Sequence, residues 1–169
     1  MDSFATLAKE RYSVRQFATK PVSQEHLDTL LNAVLIAPTA HNNQPQRVKA
    51  IAAPDDLARI DECTPCRFGA PLVLLVCSDT SAAWRRPFDD ADSSVVDASI
   101  VTTFLMLQAA DLGLGSVWVM YFDAAKASSL FGLPKHIVPI ALLPIGHPAP
   151  DAHPAPAHFE SLKLERLLL

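Results

Sequence analysis

Two arginines four residues apart, with a serine between them, form the first group of side chains that could do chemistry. Arg11, Ser13 and Arg15 lie in the stretch from Glu10 to Phe17. The two arginines share one face of a helix, and all three residues share one face of an extended chain. Guanidinium groups pair bidentately with oxyanions, so either geometry gives a cluster of donors suited to a phosphate. For the triplet alone, a solvent-exposed turn is the alternative interpretation.

A second polar stretch is enclosed by prolines. Residues 38–45 read Pro-Thr-Ala-His-Asn-Asn-Gln-Pro, which places hydroxyl, imidazole and amide groups between two rigid positions. Such a loop presents hydrogen-bond donors and acceptors in a fixed arrangement that suits ligand recognition. An ordinary connection between a helix and a strand explains the same pattern equally well.

Cys63 and Cys66 form a Cys-x-x-Cys pair, a spacing found in dithiol redox centres and in zinc sites. A thioredoxin-type centre follows a strand and opens a helix, whereas here a helical pattern precedes the pair and a strand pattern follows it. Zinc requires two further ligands, and Cys77 falls within an apolar strand pattern. We therefore favour two unpaired thiols in a loop, keep a dithiol centre as an alternative, and expect no metal.

The composition limits the class of protein. With 169 residues, of which 50% are hydrophobic and 19% charged, the chain is predicted to form one domain over residues 1–169. A net charge of −4 and the lack of a basic run argue against a nucleic-acid partner. We expect a cytoplasmic protein without a membrane partner, because no stretch resembles a signal peptide or a membrane span and the cysteine number is odd. The five glycines form neither a P-loop nor a Gly-x-Gly-x-x-Gly turn.

Hydrophobic periodicity and capping residues predict the helices that position these groups. Ser23 is the expected N-cap of the second helix, and Pro38 is expected to end it by Ala37. The helix near the centre of the chain is apolar around most of its circumference, which indicates a core helix or a subunit interface. The predicted helices cover residues 3–11 (burying Phe4, Leu7 and Ala8), 23–37, 54–62, 94–112 and 123–130.

Strands are predicted over residues 47–53, 71–77, 116–120 and 137–145. The second is continuously apolar, as in a strand covered on both faces. The last contains Pro139 and Pro144, which predicts an edge position or a bulge. Residues from about 150 to 169 are rich in proline and predict an extended tail that wraps another surface.

Taken in order, these features resemble the signatures of the nitroreductase family of FMN-dependent oxidoreductases. Residues 11–17 resemble the family's Arg-x-Ser-x-Arg-x-Phe opening, and residues 37–45 resemble its Ala-Pro-Ser-x-x-Asn-x-Gln-Pro-Trp loop. Residues 97–118 are similar to its long helix and following turn, and residues 145–148 to its closing Gly-x-Pro. The chain departs from the family at Gln46, where relatives have Trp, and in its tail, which offers His158 and then Lys163 where relatives often have Lys or Arg.

The resemblance implies an α+β protein with a three-layer nitroreductase-like fold, in which helices flank a mixed, mainly antiparallel central sheet. It also implies a homodimer with two FMN sites at the interface, and a C-terminal tail that wraps the partner subunit. NADH or NADPH can then stack on the exposed flavin face, so that no dinucleotide-binding motif is needed.

The resemblance also implies which residues bind the cofactor. Arg11 and Ser13 would hold the FMN phosphate, and Arg15 would lie along the ribityl chain or the pyrimidine edge. The proline-bounded loop would come from the neighbouring subunit, and backbone groups after Val117 would approach the isoalloxazine. No side chain is assigned as catalytic, because the chemistry takes place at flavin N5. The implied cofactor-binding residues are Arg11, Tyr12, Ser13, Arg15, Pro38, Thr39, Ala40, His41, Asn42, Gln44, Trp118, Val119, Met120 and Tyr121.

The implied activity is hydride transfer from NADH or NADPH, through flavin N5, to a small electrophilic acceptor. Nitroaromatics and quinones are the expected kinds of acceptor, and the cycle is expected to be ping-pong. A flavin-binding carrier or sensor without turnover is the first alternative. A dithiol oxidoreductase that uses Cys63 and Cys66 is the second.

Overall fold

A four-stranded antiparallel sheet forms the centre of the fold in the computed structural model, which describes residues 3–169. The strands are β1 (Gln46–Ile51), β2 (Leu72–Asp79), β3 (Gly115–Ser116) and β4 (Ile137–Gly146). They lie in the order β1-β2-β4-β3, and each neighbouring pair is antiparallel. An isolated parallel bridge joins Ser13 to Ser116 at the β3 edge of this sheet.

Helices cover both faces of this sheet, which gives the predicted α+β fold of three layers. The α-helices are α1 (Phe4–Glu10), α2 (Gln24–Ile36), α3 (Pro54–Cys63), α4 (Ser94–Asp111) and α5 (Ala124–Leu130). A hydrophobic core lies on each face of the sheet, and successive side chains of β2 alternate between them. Leu74 and Val76 pack with α2 and α4, whereas Val73 and Leu75 pack on the side of α3 and α5. All eight residues of β2 are buried, as the continuous apolar pattern predicted.

The predicted capping residues set the helix ends. The Ser23 side chain accepts a hydrogen bond from the His26 amide at the start of α2, and that of Asp123 accepts from the Lys126 amide at the start of α5. Gly113, with a φ of 69°, follows α4 and allows the Leu114 amide to donate to the Ala109 carbonyl at 2.8 Å.

β3 is shorter than the predicted strand over residues 116–120. The Val117 amide donates to the Pro144 carbonyl at 3.2 Å, but Pro144 has no N–H to return a bond. The chain therefore leaves the regular ladder after Ser116 and meets β4 again only at an isolated bridge between Val119 and Leu142.

β4 is bulged, as its prolines predicted, but it does not lie at an edge. Its pairing with β2 shifts register between Val76 and Cys77, whose partners are Ala141 and Pro139. β4 lies between β2 and β3. β3 pairs with Ile145 and Gly146, so Pro139 and Pro144 both lie outside the two-residue ladder on that side of β4.

The prediction that α1 buries Phe4 is wrong for the single chain, because 70% of Phe4 is exposed. Leu7 and Ala8 are only partly buried. Phe4 instead borders an open groove of about 600 Å³ between α1, α2 and α4. This apolar groove is lined by Phe4, Leu7, Ala33, Ile36, Thr103, Phe104, Leu107, Gln108 and Asp111.

The C-terminal residues carry many exposed apolar side chains. Beyond β4 the structure has only short 3-10 turns, at Pro156–Phe159 and Leu164–Arg166. The exposed apolar residues of this tail are Phe159, Leu162, Leu164, Leu167, Leu168 and Leu169. Within residues 3–169, no helix combines the length and the apolar character needed to cross a bilayer.

Candidate functional site

The segment that carries Arg11, Ser13 and Arg15 is extended, which decides between the two geometries that the sequence allowed. The Val14 amide donates to the Ser116 carbonyl at 3.0 Å, and the Ala18 amide donates to the His147 carbonyl at 2.9 Å. Val14 is 2% exposed. Because side chains alternate along an extended chain, burying Val14 leaves Ser13 and Arg15 on the opposite face.

Gly115 allows this segment to lie against β3. A Cβ atom at Gly115 would lie 2.6 Å from Cγ2 of Val14, closer than packed carbon atoms approach. The glycine of the predicted turn signature is therefore required by packing, and it holds the arginine segment on the core.

The three side chains line one cavity together with the C-terminal tail. This arginine cavity has a volume of about 280 Å³ and is lined by Arg11, Ser13, Arg15, Ala155, Ala157 and His158. Tyr12 helps to hold the tail there: its hydroxyl donates to the Ala152 carbonyl at 3.3 Å, and its ring lies 6.2 Å from that of His158. His158 therefore lies in the same cavity as Arg11 and Ser13.

Arg11 and Arg15 have no acidic partner within residues 3–169. The ion pairs there use Arg47, Arg59, Arg67, Arg85, Arg86 and Lys126. Among residues 3–169, Arg15 donates only to the Ser13 carbonyl, at 3.3 Å. Two unpaired guanidinium groups and a hydroxyl beside one cavity give a site that favours a multiply charged anion.

A second cavity adjoins the first through Arg15. This Trp118 cavity has a volume of about 140 Å³ and is lined by Arg15, Cys66, Phe68, Val117, Trp118, Val119, Met120 and Tyr121. The structure therefore brings the predicted residues 118–121 together with Arg15. Nε1 of Trp118 is buried and has no hydrogen-bond partner among the described residues. A wall of aromatic and apolar side chains suits a flat heterocycle.

Cys66 and Phe68 line the Trp118 cavity but were not predicted as site residues. The Thr64 hydroxyl donates to the Tyr121 carbonyl at 2.6 Å and accepts from the Cys66 amide at 3.1 Å. These bonds tie Cys66 to the wall of the Trp118 cavity. Arg67 instead pairs with Asp61, at 2.6 Å.

The two cysteines of the Cys-x-x-Cys pair differ in environment. Cys63 is the buried last residue of α3, and its thiol donates to the Arg59 carbonyl at 3.3 Å. Burial is the main cause that raises the pKa of the Cys63 thiol, with smaller effects from nearby charges. A nucleophilic dithiol needs the opposite shift, so this arrangement does not favour dithiol chemistry. In the described part of the chain, no three His, Cys, Asp or Glu residues are grouped as a metal site.

The remaining predicted residues lie apart from these two cavities. Pro38, Thr39, Ala40, His41, Asn42 and Gln44 line neither of them. The His41 ring stacks on Trp84 with centroids 5.2 Å apart, and the Ala40 amide donates to Asp97 at 2.8 Å. One chain therefore assembles the arginine and Trp118 cavities but leaves this loop on another part of its surface.

Comparison with known proteins gives the same family as the sequence signatures. The model of the nitroreductase family matches residues 8–64 and 65–147. A nitroreductase family protein from Clostridium difficile 630 has a crystal structure that is similar with a TM-score of 0.94 at 36% identity, covering 99% of this chain and 98% of that one.

Two further matches involve a flavin: one is a protein named for FMN, and the other is a structure solved with FMN bound. The FMN reductase (NAD(P)H) of Bacillus subtilis is 31% identical over 155 residues, which cover 81% of this chain and 62% of that protein. A structure from Exiguobacterium sibiricum, solved in complex with FMN, has a TM-score of 0.85 at 20% identity and covers 99% of this chain and 97% of that one. At 20% identity this last likeness concerns the fold alone.

Proposed function

The chain belongs to the nitroreductase family, and from this membership and the two adjoining cavities we propose that it binds FMN and uses NAD(P)H to reduce a small acceptor. It is an FMN-dependent NAD(P)H oxidoreductase. Residues 1–169 form one FMN-binding domain in this proposal, with the tail from about residue 150 as part of the site. We place the protein in the cytoplasm, where its three free cysteines would stay reduced.

The observation that carries the proposal is that Arg15 borders both cavities. FMN has a phosphate at one end and a flat ring system at the other. The arginine cavity offers unpaired cations for the phosphate, and the Trp118 cavity offers an aromatic and apolar surface for the ring. Charge-assisted hydrogen bonds to a phosphate contribute about 1.5–3 kcal/mol each.

Each part of the chain has a distinct task. Arg11, Ser13 and His158 bind the phosphate. Arg15, which borders both cavities, would place a positive charge near the pyrimidine edge of the ring and would stabilise negative charge there. Trp118 and the backbone that follows it would orient the ring. When bound, FMN would supply the hydride chemistry that links NAD(P)H to a nitroaromatic- or quinone-like acceptor in a ping-pong cycle.

We further propose a homodimer with FMN sites at its interface. The apolar groove leaves Phe4 and Ile36 70% and 71% exposed, and the tail exposes six more large apolar residues. Monomers rarely leave apolar surface of this extent open to water. A second copy that covers the groove, with tails exchanged, would bury both surfaces and would bring the loop at residues 38–44 to the neighbour's flavin.

Anaerobic titration with NAD(P)H tests the proposed function. Protein reconstituted with FMN is expected to lose its visible flavin absorbance on addition of NADH or NADPH, and to regain it when a quinone is added. Flavin absorbance that persists after NADH or NADPH is added would favour a flavin carrier or sensor without turnover. Failure of the purified protein to bind FMN would refute the proposal.

The position of Cys66 gives an independent check of where the flavin lies. In flavin-free protein, N-ethylmaleimide is expected to modify Cys66, and saturating FMN is expected to slow this at least about tenfold by covering the Trp118 cavity. Cys63 and Cys77 should react little in either state, because both are buried and burial raises the pKa of Cys77 to about 12. Peptide mass spectrometry measures each rate.

The same cysteines separate the flavin enzyme from the dithiol alternative. A Cys63→Ser, Cys66→Ser double variant should keep its bleaching by NAD(P)H, because neither thiol is assigned to the hydride step. Complete loss of bleaching in a folded, FMN-bound double variant would support the dithiol centre. An unchanged alkylation rate of Cys66 with FMN bound would contradict the assignment of the Trp118 cavity to the ring.

A further inference from the structure

Asp97 is a buried carboxylate that the proposed flavin chemistry does not use. It lies in the first turns of α4, is 1% exposed, and takes part in none of the ion pairs within residues 3–169. One oxygen accepts from the Ala40 amide at 2.8 Å, and the other accepts from the Ser93 hydroxyl at 2.6 Å. The positive end of the α4 dipole also favours a carboxylate at this position. The hydrogen-bond donors to Asp97 therefore come from the start of its own helix, at Ser93, and from a loop distant in sequence, at Ala40.

The loop that Asp97 contacts is strained. His41, Asn42 and Gln44 have φ values of 52°, 54° and 50°, in the left-handed region that non-glycine residues rarely adopt. Such conformations persist only where surrounding contacts enforce them. These residues belong to a strained loop that comprises residues 39–44.

Contacts hold the strained loop at both ends. The Gln44 amide donates to the Thr39 hydroxyl at 3.1 Å, and the Asn43 side chain donates to the Ala82 carbonyl at 3.1 Å. The bond from Ala40 to Asp97 differs because its acceptor is a buried, charged group on the central helix. Hydrogen bonds to charged acceptors are the stronger kind, and burial excludes competing water.

We propose that Asp97 is a positioning residue for the flavin site: by accepting the Ala40 amide it holds the strained loop in the conformation that presents His41, Asn42 and Gln44 to the neighbouring subunit's FMN. This inference rests on the proposed function, in which the loop serves the partner's cofactor. It also links α4 to the loop, because the same carboxylate is fixed by Ser93 at the start of that helix.

Amide hydrogen exchange and FMN titration of the full-length protein test this inference together. In Asp97→Ala, exchange at the Ala40 amide is expected to rise at least about tenfold, and FMN affinity is expected to fall at least about tenfold. Asp97→Asn keeps an oxygen for the Ala40 amide, so it should restore most of both properties. Should Asp97→Ala fail to fold, Ala40→Pro removes the donor without altering α4, and the same loss of FMN affinity is expected.

Asp92→Ala is the matched control. Asp92 accepts a hydrogen bond from the Ser94 amide at 2.9 Å at the same end of α4, but it is exposed and is not bonded to the strained loop. Its loss should lower the melting temperature without changing Ala40 exchange or FMN affinity. Equal effects of Asp92→Ala and Asp97→Ala, or faster exchange with unchanged FMN affinity, would overturn the inference. Wild-type protein that binds no FMN would refute the proposed function, and the exchange data would still decide whether Asp97 anchors the loop.

Discussion

Replacing Arg11 by alanine is expected to weaken FMN binding by about 10- to 150-fold and to leave riboflavin binding almost unchanged. Arg11 borders the arginine cavity but not the Trp118 cavity, so it is positioned to contact the phosphate and not the ring. Loss of one charge-assisted contact costs about 1.5–3 kcal/mol, which corresponds to that range of affinity. Riboflavin lacks the phosphate and therefore cannot lose this contact.

Arg15→Ala provides the contrasting variant. Because Arg15 borders both cavities, its removal should weaken FMN and riboflavin alike. Quenching of flavin fluorescence on titration with flavin-free protein measures the dissociation constants of FMN and of riboflavin for each variant. Arg59→Ala is a suitable control, since Arg59 is on α3, pairs with Asp56 at 3.1 Å and borders neither cavity.

The assignment of the phosphate to the arginine cavity depends on the difference between the two flavins. If Arg11→Ala weakened FMN and riboflavin equally, Arg11 would act on the fold or on the ring instead. If it changed neither, the phosphate would lie elsewhere. Since the tail supplies His158 where relatives are expected to carry Lys or Arg, Arg11 and Ser13 should account for more of the phosphate binding than in those relatives.

Placing a charge in the apolar groove should have the second large effect. Ile36 is 71% exposed in the single chain, so Ile36→Glu should leave an isolated subunit folded. In a dimer that covers the groove, the same change buries an unpaired carboxylate and should dissociate the subunits. FMN affinity should then fall by about tenfold or more, because the loop at residues 38–44 is lost and each of its hydrogen bonds contributes about 0.5–1.5 kcal/mol.

Sedimentation velocity and FMN titration measure the two consequences. Ala58→Glu adds the same charge to an exposed position of α3, on the opposite side of the sheet, and should change neither. Deleting residues 161–169 removes exposed leucines of the tail while keeping His158, and should also weaken the dimer. An Ile36→Glu protein that remains dimeric and binds FMN normally would contradict the proposed interface.

Local sequence determined most of the secondary structure. The buried pattern of residues 71–77, the N-caps Ser23 and Asp123, and the glycine after α4 depend on residues close together in the chain, and the structure has each of them. Where a secondary-structure or burial prediction was wrong, parts of the chain that are distant in sequence determined the outcome. β3 stops early because Pro144 of the neighbouring strand has no N–H, and Phe4 stays exposed because α1 meets an open groove.

The sequence by itself also predicted a chemistry for the site: the Arg-Ser-Arg spacing indicated an anion-binding segment, and the family signatures indicated a flavin. It left open whether that segment is helical or extended. Only the tertiary structure decided this, because hydrogen bonds to the Ser116 and His147 carbonyls, more than a hundred residues away, hold it extended. The tertiary structure likewise brought His158 to Arg11 and Cys66 to Arg15. Side-chain types and spacing are local properties, whereas these contacts arise when the sheet and tail pack together, so no local pattern could encode them.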